Sequence, residues 1–256
     1  MLIGSSLKMY FSHARTLAWV REVAGIVRDH PAVAAGVRPF VLPQFPSIPA
    51  CAQIGAAAGL AVGAQDLAAE DEGPYTGEVS GAVLAEVGCS LVEVGHAERR
   101  RLFGETDEVV AAKLAAALRH GLIPLLCVGE DRPGDAAAAV DACRRQIDSA
   151  VGPARAAGLT GPVTIAYEPL WAIGAPDPAG PDHITAVCGA LREYGAEGGQ
   201  AQAVIYGGSA RPGMLAEIAG SVDGLFLGRF AHDPRAFGAI LDEAADVLRA
   251  QAEVPR

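Results

Sequence analysis

The chain alternates short apolar runs with longer, alanine-rich amphipathic segments. Short apolar runs that do not alternate with polar residues are typical of strands buried on both faces, whereas amphipathic segments are typical of helices. The eight predicted strands are Leu2–Gly4, Val37–Leu42, Leu60–Gly63, Leu91–Val94, Ile123–Val128, Val163–Tyr167, Ala203–Tyr206 and Gly224–Leu227. The eight predicted helices are Ala14–Asp29, Ile48–Ala58, Gly81–Val87, Thr106–His120, Ala136–Val151, His183–Tyr194, Met214–Ile218 and Pro234–Arg249.

The regular succession of strand and helix predicts an α/β protein with a parallel sheet, because parallel strands need long connections between them. Eight strand–helix units in 256 residues are the number that a closed (β/α)8 barrel contains. A doubly wound open sheet is the alternative, but no Gly-x-Gly-x-x-Gly sequence follows the first run, as a dinucleotide-binding fold would require. We therefore expect residues 1–256 to form one domain, a single (β/α)8 TIM barrel.

Composition narrows the possible partners and compartments. The net charge of −10 disfavours nucleic acid and anionic membranes as partners. No apolar run reaches the roughly 18 residues of a membrane span, and the first residues lack the features of a signal peptide, so we expect a cytoplasmic protein. The five cysteines are odd in number and include no Cys-x-x-Cys pair, so neither a disulfide framework nor a zinc site is expected.

In such a barrel the functional side chains lie on the loops that follow the strands. Glu168 follows the sixth run and precedes Pro169, which biases the Glu168 backbone towards extended geometry. His96 follows the fourth run and begins a short predicted helix, whose positive end disfavours the imidazolium form. Lys8 follows the first run, whereas the other lysine, Lys113, lies in a helical pattern and is predicted to be on the surface. A base, a neutral imidazole and a cation are therefore predicted to lie close together at the mouth of the barrel, where the carboxyl ends of the strands meet.

Each of these features also has an ordinary structural interpretation. Glu168 alone could be a solvated glutamate in a loop, and His96 alone could be a buried histidine bonded to a backbone carbonyl. The glycines 207–208 and Gly228 follow the last two strands, where they could present backbone N–H groups to an anion or simply form tight turns. The apolar segment 171–174, after Glu168, could form a lid that excludes water.

Four stretches of sequence make the chain resemble the triosephosphate isomerases, and the resemblance runs from Gly4 to about Leu248. Each stretch is moderately specific, and all four in this order at strand ends are highly specific. They are LKM at 7–9, VGHAERRRLFGETD at 94–107, AYEPLWAIG at 166–174 and YGGS at 206–209. The resemblance implies a TIM-barrel aldose–ketose isomerase that acts on a small phosphorylated sugar without a metal or an organic cofactor.

The resemblance also implies a role for each matched residue. Glu168 would remove the proton from the carbon between carbonyl and hydroxyl. Neutral His96 would polarise the carbonyl and move protons between the two oxygens, while Lys8 would offset the negative charge of enediolate and phosphate. The matched phosphate contacts, made largely through backbone N–H groups, are Gly174, Ser209 and Gly228.

Two further positions match the family. Glu98 corresponds to a residue near the lysine and would orient Lys8, although an ion pair with one of the arginines 99–101 is an equally good interpretation. The segment 73–80 resembles a protruding loop through which Thr76 would reach into a neighbouring subunit. A homodimer is therefore expected by analogy.

The chain departs from the family pattern mainly at the substrate end. Ser6 stands where the family has Asn, which removes an amide donor and leaves room for another atom or a water. Ala97 replaces a Ser that bonds the base in its open position, and the prolines of the lid tip at 175–179 should stiffen the lid. Arg229 replaces a phosphate-binding glycine. Its guanidinium could grip phosphate bidentately or pair with Asp233, and the pairing is the preferred interpretation.

These observations support three functions. The first, and the preferred one, is the interconversion of D-glyceraldehyde 3-phosphate and dihydroxyacetone phosphate. The alternative is a paralogous isomerase of a four-carbon ketose phosphate such as erythrulose phosphate, which Ser6, Tyr10 and Arg229 motivate. The third is a non-catalytic phosphosugar-binding protein, which the retained base, imidazole and lysine disfavour.

Overall fold

The computed structural model describes residues 1–175, 179–199 and 201–253. Eight parallel strands pair in sequence order, and the pairing of the last strand with the first closes them into a barrel. The strands are β1 (Leu2–Ser6), β2 (Arg38–Leu42), β3 (Ala61–Ala64), β4 (Leu91–Val94), β5 (Ile123–Val128), β6 (Thr164–Tyr167), β7 (Ala203–Tyr206) and β8 (Gly224–Leu227). The predicted TIM barrel is confirmed, and the alternative of an open doubly wound sheet is wrong.

Helices follow the strands and cover the outside of the barrel. Within the described residues they are α1 (His13–Val27), α2 (Pro31–Ala34), α3 (Ile48–Ala56), α4 (Gly81–Glu86), α5 (Ala97–Phe103), α6 (Asp107–Arg119), α7 (Ala136–Ala156), α8 (Pro181–Gly198), α9 (Met214–Ile218) and α10 (Pro234–Glu253). All eight predicted helices are present, with ends displaced by up to five residues. None of the helices in this part of the chain has the length and apolarity needed to cross a bilayer.

The positions at which several helices begin follow from their capping residues. Ser12, Ser80, Thr106 and Asp135 each accept the backbone N–H of the residue three positions later, which satisfies a donor that the helix cannot pair. The helix α7 continues past the predicted end at Val151 to Ala156, although Pro153 has no N–H to donate. Burial of Val151 and Ala154 keeps this last turn packed on the barrel.

The strands separate two apolar layers. The layer between barrel and helices includes Val92 and Val94 of β4. The lumen of the barrel is filled by side chains of other strands, and Leu91 of β4 packs against them. These lumen residues are Phe40, Leu42, Leu125, Cys127, Ala166, Ile205 and Phe226. Because side chains alternate along a strand, β4 directs Glu93 into this same lumen.

The prediction that Lys113 lies on the surface is wrong, because its side chain is buried on α6. Its Nζ atom lies 2.6 Å from Asp66 Oδ1 and 2.6 Å from Glu105 Oε1. The Arg99 Nε atom contacts the same two carboxylates. Burial raises the pKa of Asp66 despite these cations, whereas for Glu105 the hydrogen bonds outweigh burial and the pKa is lowered. The network ties α6 to the loops that follow β3 and α5.

Candidate active site

Lys8, His96 and Glu168 meet at the mouth formed by the carboxyl ends of the strands. The Lys8 Nζ atom lies 3.3 Å from His96 Nε2, which in turn lies 3.5 Å from Glu168 Oε2. The three residues follow β1, β4 and β6, so only closure of the barrel brings them together. His96 and Glu168 are 5% and 6% exposed, which strengthens electrostatic interactions between them and a bound molecule.

The tautomer of His96 follows from its position at the start of α5. The backbone N–H of Glu98 donates a hydrogen bond to His96 Nδ1, at 3.1 Å. An Nδ1 atom that accepts a hydrogen bond carries no proton, so the neutral ring has its proton on Nε2. This N–H lies on the side of the ring that faces Lys8 and Glu168, where it can donate to a carbonyl oxygen.

The backbone of Lys8 is held in an uncommon conformation. Its φ of 47° lies in the left-handed region, which costs a residue with a side chain some conformational energy. The Gln65 amide donates to the carbonyl oxygen of Lys8 at 3.1 Å and to that of Leu42 at 2.8 Å, which fixes the loop after β1. These hydrogen bonds therefore hold Lys8 in its uncommon backbone conformation.

The side chain of Lys8 pairs with Glu98, at 3.0 Å between Nζ and Oε1. Of the two interpretations of Glu98, the structure supports the orientation of Lys8, because within the described residues Glu98 contacts Lys8 and forms no ion pair with Arg101, while Arg99 and Arg100 pair with other acids. Burial alone would lower the pKa of Lys8, but the carboxylates of Glu168 and Glu98 outweigh it and the pKa is raised. The lysine is thus a firmly positive charge beside His96.

Two glycines create the space that Glu168 occupies. A Cβ atom at Gly207 would lie 2.6 Å from both Cγ and Oε1 of Glu168, and one at Gly129 would lie 2.0 Å from the Glu168 carbonyl oxygen. The Glu168 N–H donates to Val128 at 2.8 Å, so its backbone is fixed to β5. Its Oε2 atom has no hydrogen-bond partner within the described protein. An acceptor that is buried, fixed and unpaired suits a proton-abstracting base.

The segment after Glu168 is anchored at its near end. The Trp171 indole N–H donates to Glu130 Oε1 at 2.6 Å, and the Tyr167 hydroxyl donates to Glu130 Oε2 at 3.1 Å.

Ala97 and Glu168 line an adjacent cleft of about 300 Å³, where the Ala97 methyl group offers the base no hydrogen bond. The prediction of a stiffened lid tip concerns residues 176–178, which lie outside the described residues.

The predicted phosphate contacts converge from the loops after β6, β7 and β8. The Ser209 hydroxyl donates to the Ala172 carbonyl at 2.8 Å, which joins the β7 loop to the lid segment. Gly174 has a φ of 71° and Gly208 one of 82°, values that favour glycine. A Cβ atom at Gly228 would lie 3.9 Å from the Gly208 carbonyl oxygen, so the two glycine turns are adjacent.

The preferred pairing of Arg229 with Asp233 is wrong. Asp233 pairs with Arg235, whose guanidinium lies 2.9 Å away and whose backbone N–H donates to the same carboxylate. Arg235 thus makes two bonds to Asp233. Arg229 forms no ion pair with any residue that the structure describes. Its Nη2 atom lies 4.0 Å from the position of a Cβ atom at Gly174, beside the lid.

Comparison with known proteins identifies the family to which the chain belongs. Residues 1–244 match the family model of triosephosphate isomerase. The chain belongs to the triosephosphate isomerase family. A Pectobacterium atrosepticum protein named L-erythrulose-1-phosphate isomerase is 51% identical over 95% of each chain, and one of the same name from Mesorhizobium japonicum is 37% identical over 96% of this chain and 98% of its own. A Synechococcus protein named triosephosphate isomerase is 37% identical over 94% of this chain and 96% of its own.

Glu93 is a buried acid in the site of this family member that sequence reasoning missed. The Ser6 hydroxyl donates to Glu93 Oε2 at 3.2 Å, so the predicted substrate-binding Ser6 has a protein partner. Burial raises the pKa of Glu93 to about 7; His96 and Lys8 oppose this rise, whereas the charge of Glu168 adds to it. The sequence feature that could have revealed Glu93 is the presence of an acid within the apolar run Leu91–Val94, at a position that the alternation of side chains directs into the lumen.

Exposed apolar side chains lie along the outer side of the cleft that contains Lys8 and His96. Met9 is 85% exposed, and Leu102 and Phe103 are 63% and 68% exposed. Thr76 lies on an exposed loop between β3 and α4. Large apolar side chains exposed together on one face are typical of a protein–protein contact.

Proposed function

We propose that the protein isomerises the four-carbon ketose phosphate L-erythrulose 1-phosphate. The observation that carries the proposal is the 51% identity, over 95% of each chain, to a protein that bears this activity in its name. The site supports it, because Ser6 is small at the substrate end while Lys8, His96 and Glu168 are retained. The preferred sequence-based function, triose phosphate isomerisation, therefore becomes the second candidate.

The chemistry is a proton transfer between adjacent carbons. In L-erythrulose 1-phosphate the carbonyl is at C2, between the phosphate-bearing C1 and the hydroxyl-bearing C3. Removal of the C3 proton forms an enediolate across C2 and C3. Return of the proton to C2, with transfer of the hydroxyl proton from the C3 oxygen to the C2 oxygen, places the carbonyl at C3. Atoms and electrons balance without any oxidant, reductant or other co-reactant.

The three clustered residues supply what this transfer requires. Glu168, whose Oε2 atom is buried and unpaired by the described protein, takes the C3 proton and returns it at C2. The Nε2–H of His96 donates to the carbonyl oxygen and moves protons between the two oxygens. The ammonium group of Lys8, 3.3 Å from His96 Nε2, stabilises the negative charge that develops on the enediolate.

The phosphate group is assigned to the loops after β6, β7 and β8. Backbone N–H groups at Gly174, Ser209 and Gly228 would hold its oxygens, since glycine turns allow close approach of the backbone. The guanidinium of Arg229 is exposed, has no ion pair with the described residues, and lies beside Gly174. It is therefore available to bind phosphate bidentately. Lid closure over this end would keep water from the enediolate, which could otherwise lose phosphate.

The second candidate is the isomerisation of D-glyceraldehyde 3-phosphate and dihydroxyacetone phosphate. It is favoured by relatives named triosephosphate isomerase, such as the Symbiobacterium thermophilum protein, which is 40% identical over 83% of this chain. The same base, imidazole and lysine serve this reaction. The two substrates differ at one place: the four-carbon ketose carries a hydroxymethyl group where the triose carries hydrogen.

A side-by-side measurement of kcat/KM for the two substrates tests the proposal. The protein would be purified from a host that lacks its own triosephosphate isomerase, with the Glu168→Gln variant as the blank. We expect kcat/KM for L-erythrulose 1-phosphate to exceed the triose value by at least tenfold. A triose value near the diffusional ceiling of about 10⁸ M⁻¹s⁻¹ with weak tetrulose turnover would replace the proposal with the second candidate. Turnover of neither substrate would favour the phosphosugar-binding protein.

We also propose a homodimer in which Thr76 contacts the neighbouring subunit. In this dimer the neighbouring subunit would also cover Met9, Leu102 and Phe103 at the edge of the cleft that contains Lys8 and His96. Sedimentation velocity at micromolar concentration should give twice the mass of one chain. Leu102→Glu should shift the protein towards monomer, because a charge would be buried in the interface. The matched control is Val109→Glu, since Val109 is also exposed but does not border the cleft. A monomeric wild-type protein would contradict the proposal.

A further inference from the structure

Glu93 is a carboxyl group in the lumen of the barrel, which is otherwise filled mainly by apolar side chains. Its side chain is buried, and Leu42, Leu125 and Cys127 are among the residues that fill the lumen there. Burial of a carboxyl group is unfavourable unless its oxygens have partners. TIM barrels usually fill this space with branched apolar side chains, so an acid at this position calls for a chemical reason.

The two oxygens of Glu93 have different surroundings. Oε2 accepts the hydrogen bond from Ser6 across the mouth of the barrel, from β1 to β4. Oε1 has only the Cys127 thiol, at 3.9 Å, as a hydrogen-bond partner among the described residues. The same Oε1 atom lies 3.9 Å from His96 Nε2. One carboxyl oxygen is thus held in place while the other stands next to the reacting groups with weak pairing.

Glu93 also lines the cleft that contains two of the reacting groups, Lys8 and His96. Ser6, Lys8 and His96 border this cleft, whose volume is about 380 Å³. The cleft therefore gives a small molecule beside His96 access to the Glu93 carboxyl group.

The direction of a bound substrate follows from the positions of the loops. Gly174, Ser209 and Gly228 follow β6, β7 and β8 and form the proposed phosphate end. A ketose phosphate that passes from there between Glu168 and His96 directs its other end towards β1 and β4. In a triose phosphate this end carries hydrogen, but in a four-carbon substrate it carries a hydroxymethyl group. A hydroxyl buried there needs a hydrogen-bond partner.

We propose that Glu93, held by Ser6, hydrogen-bonds the terminal hydroxyl group of the four-carbon substrate and so selects it over a three-carbon one. This inference rests on the proposed function and names a residue that sets its substrate specificity. The acid and the hydroxyl can each donate or accept, so the pair satisfies both groups in the absence of water.

The protonation state of Glu93 is compatible with this role. Burial, together with the nearby charge of Glu168, raises its pKa and favours the neutral acid, although His96, Lys8 and the Ser6 hydroxyl oppose the rise. A neutral carboxyl group places no negative charge next to the enediolate, which an ionised one would repel. It can also accept from Ser6 with one oxygen and donate to the substrate with the other.

The test compares Glu93→Leu and Glu93→Gln with the wild type, using kcat/KM for L-erythrulose 1-phosphate and for D-glyceraldehyde 3-phosphate. Leucine removes both hydrogen-bonding atoms, so we expect the tetrulose value to fall by roughly 10- to 100-fold, as for a buried polar group left unpaired. The triose value should fall by a factor at least about tenfold smaller, because the triose carries hydrogen there and loses no hydrogen bond. Glutamine keeps the size and the hydrogen-bonding groups and should retain most of the selectivity.

The outcomes separate this inference from the function on which it rests. A wild-type protein that prefers the tetrulose, with an unchanged ratio of the two kcat/KM values in Glu93→Leu, overturns the role of Glu93 alone. Equal losses on both substrates overturn it as well, because they indicate a structural role. A wild-type protein that prefers the triose overturns both proposals. If Glu93→Leu does not fold, Ser6→Ala provides the same comparison, since it removes the donor that holds Glu93, and an unchanged ratio there counts against the inference.

Discussion

Glu168→Gln is expected to lower kcat by at least the roughly 10²–10⁴-fold that a positioned base contributes. The amide has nearly the same shape as the carboxylate, so it fits the space beside Gly207, but it cannot accept the substrate proton. Binding of the phosphorylated sugar should be largely retained, because the phosphate is held by other loops. Steady-state kinetics would give kcat, and calorimetry with this slowly reacting variant would give the dissociation constant of L-erythrulose 1-phosphate.

The control for this variant is Glu217→Gln, the same chemical change at an exposed position on α9. It should leave both kcat and KM within twofold of the wild-type values. Near-normal turnover by Glu168→Gln would remove Glu168 from the role of base. A loss of substrate binding as large as the loss of kcat would show that the carboxylate holds the substrate instead.

Lys113→Met is expected to lower the free energy of unfolding by about 3 kcal/mol, because it leaves buried carboxylates without their main cation. Both Asp66 and Glu105 lie 2.6 Å from the Lys113 ammonium group, and only the partly exposed Arg99 would still pair with them. For a chain of this size the loss corresponds to a fall in Tm of roughly 6–12 °C. Thermal unfolding followed by circular dichroism would measure it.

The effect of Lys113→Met should depend on pH. Without the ammonium group, burial favours the protonated forms of Asp66 and Glu105, so the folded variant binds protons more tightly than the unfolded chain. Its stability therefore rises as pH falls towards the unfolded pKa values of about 4. In the wild type burial already raises the pKa of Asp66, but the lowered pKa of Glu105 has the opposite effect, because the stability that Glu105 contributes is lost at low pH. The difference in Tm between wild type and variant should be smaller at pH 5 than at pH 8.

Arg119→Met is the matched control, because Arg119 lies on the same helix and pairs with Asp71 at the surface. An exposed ion pair contributes about 0–1 kcal/mol, so Tm should change by no more than a few degrees. A Lys113→Met protein with the Tm of this control would show that the buried network does not stabilise the fold.

The sequence by itself determined the barrel and the location of its mouth. Eight short apolar runs that alternate with amphipathic segments leave few topologies other than a closed parallel barrel, and the comparison of predicted and observed strands bears this out. Once the barrel is accepted, residues that directly follow strands must share one mouth. The meeting of Lys8, His96 and Glu168 could therefore be predicted from their places at the ends of three runs.

Only the tertiary structure decided which partners the polar side chains have. Ser6 and Glu93 are 87 positions apart in sequence, and Lys113 and Asp66 are 47 apart, yet each pair is in contact. Arg229 was expected to pair with Asp233, but a nearer arginine occupies that carboxylate. The periodicity of a segment reports which of its faces is apolar. It carries no information on which side chains from other segments lie opposite a polar residue, because that depends on how the barrel closes.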